Sequence, residues 1–150
     1  MIDRFQPAYF NYAPEISEPV LNEPARFDRF KQFASQVYQT LKTAHPDLPL
    51  MVSIALKSPG SQASQAIAEA FTAISEYVDI VGISVYPYAF FDDYQQRGDP
   101  ANLPTDWLSQ ITTIAPENFL VRILACGCGG LYARYNPQKI SIFSGQDIFP

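Results

Sequence analysis

Ser84, Tyr86 and Tyr88 alternate along the end of one apolar run, Val78-Asp79-Ile80-Val81-Gly82-Ile83-Ser84-Val85-Tyr86-Pro87-Tyr88. Their hydroxyls both donate and accept, so each needs a polar partner wherever it is buried. Ile80, Val81, Ile83 and Val85 can be covered on both faces, as strands of a parallel sheet are. Pro87 withholds an amide donor and closes the strand. A buried strand that ends in hydroxyls and aromatic rings offers its last side chains to a ligand.

Other reactive side chains assemble less well. Cys126 and Cys128 are the only cysteines, and with one residue between them they are badly placed for an unstrained disulfide. A structural zinc site wants four ligands, and the only histidine, His45, stands at a helix end. Gly127, Gly129 and Gly130 are not followed by the Lys-Ser/Thr pair of a phosphate-binding loop. With one histidine so placed, no Ser-His-Asp set is assembled. No metal and no cofactor is expected.

Composition narrows the partners. At 150 residues, with 47% hydrophobic and 14% aromatic side chains, the chain can bury a sizeable core. Ten basic residues against fifteen acidic ones leave a net charge of -5, and no Lys/Arg cluster interrupts that balance. The attraction to phosphate on which nucleic-acid binding rests is therefore missing. No apolar run approaches a membrane span, and Met1-Ile2-Asp3-Arg4-Phe5-Gln6-Pro7 lacks the layout of a secretory signal, so the compartment is unmarked.

The elements that must position these residues repeat. Strand-like runs cover Ala8 to Tyr12, Leu50 to Leu56, Asp79 to Tyr86 and Asn118 to Leu124, and a helix-like segment follows each of the first three. That alternation predicts a parallel sheet. Asn22 and Pro24 suit the start of the first helix, where Phe27, Phe30, Ala34, Val37 and Leu41 recur at helical spacing until His45-Pro46 stops it. The second helix follows Pro59-Gly60-Ser61 and turns Ile67, Phe71, Ile74 and Val78 to one face. The third begins near Pro104-Thr105, with Leu108, Ile111 and Ala115 inward and Trp107 as its anchor. A long connection, Ala89 to Pro104, precedes it, and a loop of that length in a compact domain is more often functional than idle.

Four strands and three helices are half of a (β/α)8 barrel, which takes about 250 residues when complete. Half a barrel leaves its first and last strands with bare edges, through which copies can associate. Residues 1–125 are read as this partial barrel. Residues 126–150 show neither clean alternation nor a helical stripe, apart from an apolar run from Ile140 to Phe143, and are expected to form an irregular tail.

Asp79-Ile80-Val81-Gly82-Ile83-Ser84-Val85-Tyr86-Pro87-Tyr88 resembles the sixth strand of TIM-barrel glycoside hydrolases, most nearly the endo-β-1,4-galactanase group (glycoside hydrolase family 53). Tyr9-Phe10-Asn11-Tyr12-Ala13-Pro14-Glu15 falls where such enzymes carry the fourth strand and its acid/base glutamate. The resemblance spans roughly residues 5–124, strands four to seven of the family pattern. It implies a retaining mechanism, in which one carboxylic acid protonates the leaving oxygen and a second carboxylate, about 5 Å away, attacks the sugar carbon. Glu15 is the implied acid, with a pKa raised by burial. Asn11, Tyr12, Ser84, Tyr86 and Tyr88 are the implied saccharide contacts, since aromatic faces stack on sugar rings while hydroxyls hydrogen-bond to them. On the residues alone, Glu15 and Glu18 are equally well read as ordinary side chains of the first turn after a strand, and Phe90 and Phe91 as core. Asp92 and Asp93 read as turn formers.

Two departures bear on activity. The asparagine that usually precedes the acid/base glutamate is replaced by Pro14, which has no donor. The seventh strand should deliver the nucleophile in a Glu-(Thr/Ser)-Gly-Trp-like run, whereas Phe119-Leu120-Val121-Arg122-Ile123-Leu124-Ala125-Cys126-Gly127 holds no carboxylate. Codons for Arg122-Ile123-Leu124-Ala125, read one base later, can encode Glu-Ser-Trp, the mark of a shifted frame or a fragmentary gene. The expectation is thus a glycoside hydrolase-like fragment, weakly active or inactive alone. The alternative is a non-catalytic carbohydrate-binding or assembly module.

Overall fold

The computed structural model describes residues 2–85 and 107–115, and the backbone of the strands Leu120–Ala125, Leu131–Asn136 and Lys139–Ser144. A short helix α1 (Ile2–Phe5) leads into strand β1 (Phe10–Ala13), which is followed by helices α2 (Ser17–Asn22) and α3 (Pro24–Ala44). Strand β2 (Leu50–Ala55), helix α4 (Gln62–Thr72), a 3₁₀ turn over Ser75–Tyr77 and strand β3 (Ile80–Val85) come next. Helix α5 (Ile111–Ile114) and strands β4 (Leu120–Ala125), β5 (Leu131–Asn136) and β6 (Lys139–Ser144) complete the described elements.

All six strands form one sheet in chain order, and β1 to β4 are joined by three parallel pairings. The chain is therefore an α/β structure in which helices cross over between parallel strands. Past β4 the rule changes, because β5 pairs with β4 and with β6 antiparallel. The expectation of an irregular tail over 126–150 is corrected here, since two strands of that segment extend the sheet. The expectation of a bare edge on the last parallel strand is corrected with it, since β5 lies along β4. Among the described strands, the outer ones are β1 and β6.

The sheet is built around β2, whose six residues are all buried. Val52 and Ile54, with their neighbours Val81 and Ile83 on β3, pack against Phe27, Ile67, Phe71 and Ile74 from the helical layer. Alternation along the strands puts Met51 and Ser53, with Ile80 and Ser84, on the opposite face. Trp107, Ile111 and Ile114 close the helical side and are all buried.

Local signals explain where the helices begin and end. Pro24 occupies the start of α3, where no amide partner is needed, and Glu23, rather than Asn22, is the capping position. The chain leaves α3 at His45, whose backbone at φ -140° and ψ 74° has left the helical region that the following Pro46 disfavours. Gly60 takes a positive φ of 73° just before α4, and the Ser61 hydroxyl accepts the Ser64 amide at 3.1 Å to cap it.

Candidate functional site

The site begins at an irregularity in β1. Phe10 and Asn11 sit opposite Leu50 and Met51, but Ala13 then meets Val52, so Tyr12 is an extra residue in a bulge. Asn11 steadies the bulge, its side-chain oxygen accepting the Ala13 amide at 3.2 Å. Tyr12 packs partly buried against the helical core and donates its hydroxyl to the Tyr77 carbonyl at 2.8 Å, at the amino end of β3. Burial, and then the nearby Tyr38 and Asp79, push the Tyr12 hydroxyl far above its ordinary pKa, so it stays a donor.

Beyond Ala13 the chain turns at Pro14 and Glu15. Glu15 has φ of 53°, the left-handed region that costs a residue with a side chain about 1–2 kcal/mol. Three hydrogen bonds to β2 hold the turn. The Glu15 amide donates to Ser53 Oγ at 3.0 Å, the Ile16 amide to the Ser53 carbonyl at 2.9 Å, and the Ala55 amide to Ser17 Oγ at 2.9 Å. Ser53 and Ser17 are 1% and 0% exposed, so these bonds are shielded from competing water. The strap from Pro14 to Ser17 thus rides along the carboxyl-terminal half of β2, and Glu15 stands half-buried at the carboxyl-end rim of the sheet.

Glu15 lines a cleft of about 500 Å³ between this strap and the start of α3, with Tyr12, Pro14, Glu18, Asn22 and Phe30 among its walls. Its other charged groups are paired at the surface. Glu18 meets Lys57 at 3.3 Å and accepts from Asn22, and Glu23 meets Arg26 at 3.3 Å. A mixed lining of carboxylate, amide and ring edge can hold a polyol, whose hydroxyls donate to carboxylates while its apolar face meets Phe30.

The expected contacts divide. Asn11, Tyr12 and Glu15 lie on one continuous segment, yet the Asn11 oxygen and the Tyr12 hydroxyl are engaged by the protein's own backbone. Ser84 is 5% exposed on β3, opposite Ala55 in register. It lies two strand spacings from β1, about 10 Å across the sheet. Tyr86 and Tyr88 lie outside the described residues, as do Phe90, Phe91, Asp92, Asp93, Cys126 and Cys128. β4, the strand on which the resemblance expects a nucleophile, runs beside β3 with the sequence LVRILA and carries no carboxylate.

Two residues of the site escape a reading of motifs, Ser53 and Ser17. Ser53 had a visible signal, being the one polar side chain in the apolar run Leu50-Met51-Val52-Ser53-Ile54-Ala55. Ser17 had none, because serine in the first turn of a helix is commonplace. Among the described residues, no cluster of His, Cys, Asp or Glu could hold a metal ion, and no helix is long and apolar enough to cross a membrane. Comparison with protein-family models, curated proteins and solved structures finds no match to the chain.

Proposed function

We propose that this chain is a saccharide-binding relative of TIM-barrel glycoside hydrolases, a partial (β/α) barrel of strands four to seven with Glu15 in the place of the proton donor. The observation that carries the reading is the setting of Glu15, a carboxylate at the carboxyl-end rim of parallel strands, beside a cleft and on a backbone turn that its neighbours must hold in place. Functional side chains of such barrels gather at that rim. Backbone held in a costly conformation points to function when the surrounding structure over-determines it.

In this reading Glu15 stands where a proton donor to a glycosidic oxygen would stand. The covalent step has no partner, because β4 offers no carboxylate to attack the sugar carbon. The chain then binds neutral β-linked oligosaccharides and turns them over at or near the uncatalysed rate. Saccharide titration followed by amide shifts, with hydrolysis assayed in parallel, tests this. Binding centred on Glu15 and weakened in Glu15→Gln supports the reading, and the absence of any saccharide-dependent shift at the rim overturns it.

A second reading is a non-catalytic carbohydrate-binding or assembly module. The paired state of Glu18 and Glu23 favours it, since each of these cleft carboxylates is already engaged by a cation. Assembly would use the outer strands of the sheet.

A further inference from the structure

We propose that Ser53 is a positioning residue for Glu15, and that its hydroxyl, more than the main chain around it, fixes the left-handed turn on which Glu15 stands. The inference deepens the reading of Glu15 as proton donor and rests on that reading for its functional meaning alone.

Ser53 makes two bonds to the strap, and they differ in what they demand of the residue. Its carbonyl accepts the Ile16 amide at 2.9 Å, a bond any residue at position 53 could make. Its Oγ accepts the Glu15 amide at 3.0 Å, a bond that needs a hydroxyl there. Ser53 is 1% exposed, so water cannot readily replace a missing acceptor. Without Oγ the Glu15 amide loses this buried acceptor, and the cheapest relief is rotation of the peptide between Pro14 and Glu15. That rotation takes residue 15 out of the left-handed region and re-aims its side chain. Ile16, 3% exposed, and Ser17, 0% exposed, anchor the strap on its far side, so the movement falls on Pro14 and Glu15.

A polar residue in the most buried strand of the sheet finds its reason here. Alanine or valine at position 53 would serve packing as well, while serine or threonine is small and uncharged and also supplies an acceptor at the point where the strap leaves β1.

The test is nuclear magnetic resonance on the full chain with Ser53→Ala, Ser53→Cys and Ser53→Thr. Cysteine keeps the size of serine but is a weak acceptor, so it covers the case in which the alanine variant fails to fold. In both the alanine and cysteine variants the Glu15 amide should exchange at least tenfold faster, and its amide–Hα coupling should leave the left-handed range. Amides of Val52, Ile54 and Val81 should keep their protection. Ser53→Thr should restore the wild-type signature of Glu15. A Glu15 amide that stays protected in a folded cysteine or alanine variant overturns the proposal, as does a folded threonine variant that fails to restore it. Saccharide titration separates this from the functional reading. Absent binding in a wild type that shows the Ser53 dependence removes the function and leaves the positioning role standing.

Discussion

The Tyr38 hydroxyl donates to Asp79 Oδ1 at 2.9 Å, tying the middle of α3 to the residue that leads into β3. Asp79 also takes the Leu50 amide at 2.8 Å and the Lys42 ammonium at 2.7 Å through its other oxygen. One carboxylate therefore joins α3, β2 and β3 at the amino end of the sheet, the end opposite Glu15. Burial alone would raise its pKa, but the Lys42, Leu50 and Tyr38 bonds outweigh that and hold it below the usual carboxylate range.

This brace predicts a stability profile with two shoulders. A carboxyl depressed in the folded state contributes stability above its unfolded pKa and loses it as the pH falls through its folded value, so Asp79 weakens the fold in acid. Tyr38 is pushed up to about 12, by burial first and then by the Asp79 bond and charge. A raised group contributes fully below its unfolded pKa, and this contribution is lost as the pH climbs from about 10 toward 12. Urea unfolding at a series of pH values should show both losses. Tyr38→Phe should cost about 1–2 kcal/mol near neutrality and remove the Tyr38 part of the alkaline loss.

Glu15→Gly is expected to raise stability. Glycine adopts a φ of 53° without penalty, so the variant should gain about 1 kcal/mol, or about 3 °C in the unfolding midpoint. The same change removes the carboxylate, so saccharide binding at the rim should fall. Calorimetry on a variant no more stable than the parent would show that the turn carries no strain.

The two functional readings part at Tyr86 and Tyr88. A binding module that stacks sugars on strand ends should lose affinity in Tyr86→Ala and Tyr88→Ala, each aromatic contact being worth about 1 kcal/mol, and should be indifferent to Glu15→Gln. An enzyme relative with Glu15 at its centre should weaken in the glutamine variant. Isothermal titration with one neutral oligosaccharide across the three variants separates the cases.

Self-association, if it uses the sheet, should run through β6. Its backbone pairs in regular register over Lys139-Ile140-Ser141-Ile142-Phe143-Ser144, without a bulge or a proline, whereas β1 is only four residues long and kinked at Tyr12. Ile142→Lys, a charge placed on an outer strand, should shift a concentration-dependent dimer toward monomer in light scattering. A parent chain that stays monomeric at millimolar concentration removes this prediction.

Much of the framework could be read from residue order. The four parallel strands lie within a few residues of where apolar runs put them, because β2 and β3 are buried on both faces and their sequences are almost wholly apolar. The first strand is shifted to Phe10–Ala13, since Pro7 and Ala8 lie before the pairing with Leu50 begins. The hairpin is not legible in the residues although Lys139-Ile140-Ser141-Ile142 alternates strictly, because Leu131-Tyr132-Ala133-Arg134 before it does not. At the site, Glu15 was legible from its place after a strand. Its left-handed backbone was not, since nothing in Ala13-Pro14-Glu15-Ile16 calls for it, and the cause lies on β2, 38 positions further along the chain.

The hairpin on β4 also governs what two copies could make together. Closing two such sheets into one ring would need the first parallel strand of one copy to lie alongside the last parallel strand of the other, in the same direction. In this sheet that berth is taken by β5, running the opposite way. A second copy can therefore lengthen the sheet at β1 or β6, but it finds no free edge on β4.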